Sequence, residues 1–231
     1  MLLLFDIDGT LVGGATDAHR DALYEALLEV HGVAAARVRF SLAPAGRTDG
    51  EIARAILLAA GVSAEAIDDR AGDVREACSR AYVRLAPEDL SHTVLPGIKS
   101  LLTWLRERDD VKLGLVTGNF ETVGRLKLER AGLGGYFASA VGAFGSDSED
   151  RAALPALARR RAGRAGRPYP RAQTVVIGDT PRDIACARAD ELRCVAVTTG
   201  PFDREALAGA DAVLDDGYAL REWLARGLAA S

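Results

Sequence analysis

Residues 2–10 read LLLFDIDGT, a short apolar run that ends on two carboxylates. Four large apolar residues in a row, Leu2, Leu3, Leu4 and Phe5, suit a central parallel strand covered on both faces. Strand residues i and i+2 point to the same side, so Asp6 and Asp8 would share one site at the strand's carboxyl end. Two anions that close repel each other unless a cation or a shared proton intervenes, and hard oxygen donors of this kind suit Mg2+. The same Asp-x-Asp-Gly spacing also serves turns, where Asp caps backbone amides and Gly takes positive φ. A buried first strand then demands further parallel strands and covering helices.

The chain supplies them in order. After Thr10, residues 11–16 carry Gly13 and Gly14 and read as a hinge. Asp17 opens a helix over 17–31, with Leu23, Ala26, Leu27 and Val30 at helical spacing and Gly32 as its stop. Residues 33–93 read as mostly helical, with segments near 48–60, 63–70 and 71–86 and a PAGRTDG loop before the first. Residues 14–93 therefore form a helical insertion. Strands are expected at 111–116, near 138–143, at 174–177, 194–197 and 212–214. Helices are expected at 96–108, 120–131, 151–164, from 181 to about 189, 204–208 and 218–228. Strands alternating with helices imply right-handed crossovers and a parallel sheet, with ligands at the carboxyl ends of the strands.

The polar clusters fall at those ends. Asp6 and Asp8 follow the first strand, Thr117, Gly118 and Asn119 the second, and Asp179 and Asp183 the TVVI strand. Asn119 also reads as a cap for the helix at 120, and Thr180, Pro181 and Asp183 fit the N-cap, N1 and N3 of a capping box. Asp179 lies outside that helix and has no such structural use.

These strings, in this order, resemble the haloacid-dehalogenase-like phosphohydrolases, and within them phosphoglycolate-phosphatase-like enzymes with a helical cap inserted after the first motif. The resemblance implies a Rossmann-like α/β core over residues 1–13 and 94–231, with helices on both faces of its sheet, and an all-α cap over 14–93. It also implies a Mg2+-dependent phosphatase that acts on a small phosphorylated metabolite through an aspartyl-phosphate. Asp6 would be the nucleophile and Asp8 the general acid and base. Asp6, Asp179 and the backbone carbonyl of Asp8 would hold the metal, with Asp183 behind them. Thr117, Gly118 and Asn119 would contact the phosphoryl group. Arg47 and Thr48, in the PAGRTDG loop, would face the substrate; Arg47 pairing with Asp49 is the plain alternative.

One position departs from the family pattern. A lysine is usual between the third and fourth strands, and this chain has none after Lys127. Arg151, at the start of a helix just after SDSED, is the positional substitute, since a guanidinium binds carboxylate and phosphate together. A surface arginine in an Arg-rich helix is the other reading. A β-phosphoglucomutase-like phosphotransferase and a non-catalytic phosphate-binding module share these motifs and stand as alternatives. Haloacid dehalogenation would not need Asp8.

The net charge of −4, with both signs interspersed, argues against a nucleic-acid partner. No stretch has the ~20 apolar residues of a membrane span. Cys78, Cys186 and Cys194 are too few and scattered for a disulfide framework or zinc site and read as buried hydrophobes. A cytoplasmic monomer or homodimer is expected. His19, His31 and His92 read as isolated structural residues.

Overall fold

β1 (Leu2–Phe5) is buried along its whole length and sits inside a six-stranded parallel sheet. The computed structural model describes residues 1–39, 42–138 and 141–229. The other strands are β2 (Lys112–Thr117), β3 (Gly142–Phe144), β4 (Thr174–Gly178), β5 (Arg193–Val197) and β6 (Ala212–Leu214). Their order across the sheet is β3-β2-β1-β4-β5-β6. The chain winds one way from β1 through β2 to β3, then returns to place β4 on the other flank of β1. That reversal opens a crevice at the carboxyl ends of β1 and β4, the place where such sheets bind ligands.

Phe5 pairs with Leu115 on one side and Ile177 on the other. The register brings the residues after all three strands out at one end: Asp6 and Asp8, Thr117 and Asn119, and Asp179.

The unbroken apolar run of β1 has its explanation in two covered faces. Leu3 and Phe5 pack with Leu101 and Leu105 of α4 (Ile98–Arg106), Leu128 of α5 (Glu121–Arg130) and Leu220 of α8 (Gly217–Ala229). Leu2 and Leu4 pack on the other side with Leu154 and Ala158 of α6 (Leu154–Ala162) and Ala187 of α7 (Pro181–Ala189).

A separate apolar cluster holds α1 (Asp17–His31), α2 (Asp49–Ala59) and α3 (Ala64–Leu85) together. Leu23, Leu27, Ile56, Leu57, Val74 and Tyr82 are buried in it. Phe120 and Val123 join from the start of α5, so the helical block is seated on that end of the sheet domain.

Four local expectations change. The segments near 63–70 and 71–86 are one helix, α3. Gly72 lies on its exposed face, where a glycine costs about 1 kcal/mol and does not break a long helix. Residues 204–208 form turns instead of a helix. Asp203 caps Ala206 N, and Gly209 follows too soon for a nucleated turn to propagate. The helix expected from 151 begins as a 3-10 turn, Arg151–Ala153, before Pro155 starts the regular α6. The expected third strand is the shorter β3, and Ser139 and Ala140 lie outside the described residues. All three cysteines are free and buried. Among the described residues no helix is long and apolar enough to cross a membrane.

Candidate active site

Three carboxylates converge at the crevice between β1 and β4. Asp6, Asp179 and Asp183 are buried, and one oxygen from each lies within 4.8 Å of the others. Their freedom to bind something differs. Asp183 is used up: one oxygen accepts from Thr180 N (3.0 Å), Thr180 Oγ1 (2.7 Å) and Asp179 N (3.2 Å), and the other pairs with Arg151. The capping box expected at Thr180 and Asp183 is present and explains why this carboxylate is fixed. Asp179 accepts a hydrogen bond from Thr10 Oγ1 at 3.0 Å. Gly9, at φ +82°, carries the turn so close to Asp179 that a Cβ there would meet its carboxylate.

Arg151 is buried beside this group, with Nη2 3.3 Å from Asp6 Oδ1 and an ion pair to Asp183. It is therefore an interior residue, not a surface one, and its Nε has no hydrogen-bond partner. One guanidinium does not balance three buried acids. Burial, opposed by Arg151, pushes the Asp6 carboxyl up to about 6. Burial and the nearby Asp6 and Asp183 charges push Asp179 up to about 8. This corner of the site lacks positive charge.

Asp8 stands outside that group and in the opposite condition. Lys127, fully buried on α5, places Nζ 2.7 Å from both carboxylate oxygens. Asn119 Nδ2 donates to Oδ2 at 2.9 Å. Burial works against the charge, but Lys127 and Asn119 outweigh it and hold the carboxyl below its usual range. Asn119 Nδ2 also reaches Thr117 Oγ1 at 2.7 Å. Asn119 is thus a bridge between Thr117 and Asp8, not the cap of α5. Phe120 is the N-cap residue of α5; its N–H donates to Asp49 Oδ2 at 2.7 Å, and the first helical N–H, of Glu121, donates to Ser146 Oγ at 2.7 Å.

The helical block closes the other wall. A cavity of about 540 Å³ is lined by Asp6, Asp8, Asp179, Thr117, Gly118, Asn119 and Arg151 from the sheet side, and by His19, Arg47, Tyr24 and Ile52 from the helices. Arg47 pairs with Glu51, not with Asp49. Thr48 does not line the cavity. Its hydroxyl accepts from Glu51 N at 3.1 Å as the N-cap of α2 and donates to Glu149 O at 2.8 Å. Asp49 N donates to Gly118 O at 2.9 Å, and a side chain at Gly118 would collide with the Arg47 carbonyl.

Sequence reasoning passed over Lys127, took His19 for an isolated structural residue and Asp49 only for a possible partner of Arg47; His19 instead bridges Lys127 and Asp49. Signals for the first two were present. Lys127 falls four residues after Val123, on the buried stripe of α5, and His19 four before Leu23, on the buried stripe of α1. A polar residue on an apolar stripe needs a partner.

The model of the haloacid dehalogenase-like hydrolases matches residues 1–189. The chain belongs to the haloacid dehalogenase-like hydrolase family. It is 34% identical over 233 residues to a phosphoglycolate phosphatase of Rhodospirillum rubrum, spanning 96% of this chain and 90% of that one. It is 27% identical over 230 residues to a phosphoglycolate phosphatase of Pseudomonas putida, spanning 95% and 78%. A hydrolase from Pseudomonas syringae has the same fold, with a TM-score of 0.65 at 23% identity over 98% of each chain.

Proposed function

We propose that this hydrolase is a Mg2+-dependent phosphatase of a small phosphomonoester, similar to phosphoglycolate phosphatases, with residues 14–93 as a cap over a core of 1–13 and 94–231. The enzyme is a phosphoric monoester hydrolase. The observation that carries the reading is geometric: Asp6 and Asp8 leave β1 two residues apart and face one cavity with Thr117, Asn119 and Arg151, Asp6 beside Asp179 and Arg151 and Asp8 beside Asn119 and Lys127. Carboxylates in such different surroundings are suited to different tasks.

The donor set fits a divalent cation. Asp6 and Asp179 are buried, close together and short of positive charge, and both offer hard oxygens. They would hold Mg2+ together with the Asp8 backbone carbonyl. The charge it supplies lets Asp6 remain an anion beside a phosphate dianion.

Asp6 attacks phosphorus, and the bond to the leaving oxygen breaks as the aspartyl-phosphate forms. The arriving phosphate raises the proton affinity of Asp8, which takes up a proton as the substrate binds and gives it to that oxygen. Asp8 then takes a proton from the water that attacks the aspartyl-phosphate, the bond from Asp6 to phosphorus breaks, and inorganic phosphate leaves. Thr117 Oγ1 accepts from Asn119 and so keeps its own proton for a phosphoryl oxygen. Backbone N–H groups near Gly118 and Asn119 act with it. Arg151 supplies a cation next to Asp6, in place of the lysine usual in the family. Arg47, facing the cavity from the cap, binds the rest of an anionic substrate by opening its pair with Glu51. A mutase would want an unengaged base on the cap; both ring nitrogens of His19 are engaged.

The test is phosphate release from a panel of small phosphomonoesters, with and without Mg2+, by wild type and Asp6→Asn. Activity that needs both Mg2+ and Asp6, and falls by more than about 10³-fold in the variant, supports the reading. Wild-type silence across the panel removes it.

A further inference from the structure

Lys127 is a buried cation to which the reaction just described gives no task. Its ammonium has three protons and no acceptor. The structure offers them three residues: Asp8, at 2.7 Å from both oxygens, Asn119 Oδ1 at 2.8 Å, and His19 Nδ1 at 3.1 Å. No N–H remains for a substrate. Whatever Lys127 does for the reaction, it does through a neighbour.

That neighbour is Asp8. Its Oδ2 is gripped from two directions, by Lys127 and by Asn119 Nδ2, and its Oδ1 by Lys127. A carboxylate free to turn about two side-chain torsions is thereby fixed in one pose. Proton transfer needs hydrogen-bond reach and alignment, so such fixing matters most at this carboxylate.

Lys127 is in turn held by the helical block. Since it is only a donor, His19 Nδ1 must accept from it, which leaves Nε2 to donate to Asp49 Oδ2 at 2.9 Å. The His19 ring is set edge-on against Tyr82 of α3, with centroids 5.8 Å apart. Asp49 sits in the first turn of α2 and accepts from Phe120 N at 2.7 Å. A continuous run of contacts thus joins the seat of α2 on the Thr117–Phe120 loop to the Asp8 carboxylate.

We propose that Lys127 is a positioning residue that aims the Asp8 carboxylate and is itself held by His19 and Asp49 of the helical block. This rests on the phosphatase reading, in which Asp8 protonates the leaving oxygen.

The experiment compares kcat/KM for phosphoglycolate, phenyl phosphate and 4-nitrophenyl phosphate in wild type, Asp6→Asn, Asp8→Asn, Lys127→Met and His19→Gln. This ratio reports the steps up to departure of the leaving group. A good leaving group such as 4-nitrophenolate needs little protonation; an alkoxide needs it fully. Lys127→Met is expected to lower kcat/KM about 100-fold with phosphoglycolate and less than about 10-fold with the nitrophenyl ester, the asymmetry of Asp8→Asn. His19→Gln is expected to show the same asymmetry at smaller size. Equal falls on all three esters, or no fall, overturn the proposal. Should Lys127→Met fail to fold, the His19→Gln pattern decides in the same way. Wild-type activity that Asp6→Asn abolishes supports the phosphatase reading whatever the lysine does. A wild type silent on every ester overturns both.

Discussion

Asp6 and Asp8 leave the same strand two residues apart and enter opposite surroundings. Around Asp6, Asp179 and Asp183 bring two more acids against one guanidinium, and the Asp6 and Asp179 carboxyls are pushed upward. Around Asp8, an ammonium and an amide close on a single carboxylate, which is held downward. The first pocket is short of positive charge and the second is satisfied. A buried site with uncompensated charge is held ready for a ligand, whereas a satisfied one holds a side chain in place. On the proposed reading, the difference separates the carboxylates that would take a cation from the one that would be aimed.

The largest expected effect on stability comes from making the imbalance worse. Arg151→Ala removes the cation from the first pocket and leaves Asp183, tied to the turn at Thr180, with a buried oxygen unpaired. Breaking a buried pair in this way costs about 3–5 kcal/mol. Urea unfolding of the metal-free protein at pH 8 measures it, against a loss below about 1 kcal/mol for an exposed pair such as Arg80–Glu29. Arg151→Lys keeps the charge, but the ammonium on its shorter side chain has to reach the two carboxylate oxygens that Nη2 now meets together, and it should fall in between. Equal stability of Arg151→Ala and wild type would mean that the pocket is not charge-limited.

The next effect is that of pH on the metal-free protein. Asp6 and Asp179 hold their protons more tightly in the folded chain than in the unfolded one. That contribution to stability is complete below about pH 4, the ordinary carboxylate value. It is lost as pH rises through about 6 for Asp6 and about 8 for Asp179. Asp8, shifted the other way, contributes above its ordinary value and loses that contribution only in more acid solution. Between pH 5 and 8 the melting temperature of metal-free protein should therefore fall. Added Mg2+ competes with those protons, so its stabilisation should be greater at pH 8 than at pH 5.5. Calorimetry at the two pH values, with and without Mg2+, checks this. The same Mg2+ increment at both would detach the carboxyl shifts from metal binding.

The two pockets also differ in how far the sequence announced them. Asp6, Asp179 and Asp183 follow apolar runs at strand ends, and parallel strands with short connections leave such residues nowhere else to go. The sheet was legible for the same reason: LLLF and TVVI are too short and too apolar for anything but buried strands. The Asp8 pocket is assembled from α1, α2 and α5, whose relative placement no local pattern fixes. Lys127 was overlooked because a cation was sought between the third and fourth strands, where Arg151 stands, and not on the buried stripe of α5. Asn119 has one side chain suited both to a cap and to a bridge. The choice was made by Asp8, 111 residues earlier in the chain, which takes the Asn119 amide, while Ser146 takes the Glu121 N–H. The segments expected near 63–70 and 71–86 join in one helix because the burial of Ile67, Val74, Cys78 and Tyr82 along one face outweighs the cost of Gly72.

The smallest effect concerns the contact that seats the block carrying His19 and Asp49. Thr48 caps α2 through Glu51 N and donates to Glu149 O, and Arg54 reaches the Glu149 carboxylate at 2.5 Å. Thr48→Ala removes one cap and one bond across the cavity rim, worth about 1–2 kcal/mol together. Thr48→Ser keeps both and should be close to neutral. Because Thr48 acts through the seat of α2 and does not line the cavity, Thr48→Ala should lower kcat/KM only slightly, with the leaving-group asymmetry of His19→Gln at smaller size. If kcat/KM on every ester stayed at the wild-type value while stability fell, the seating of α2 would have to rest on Asp49 and Arg54 alone.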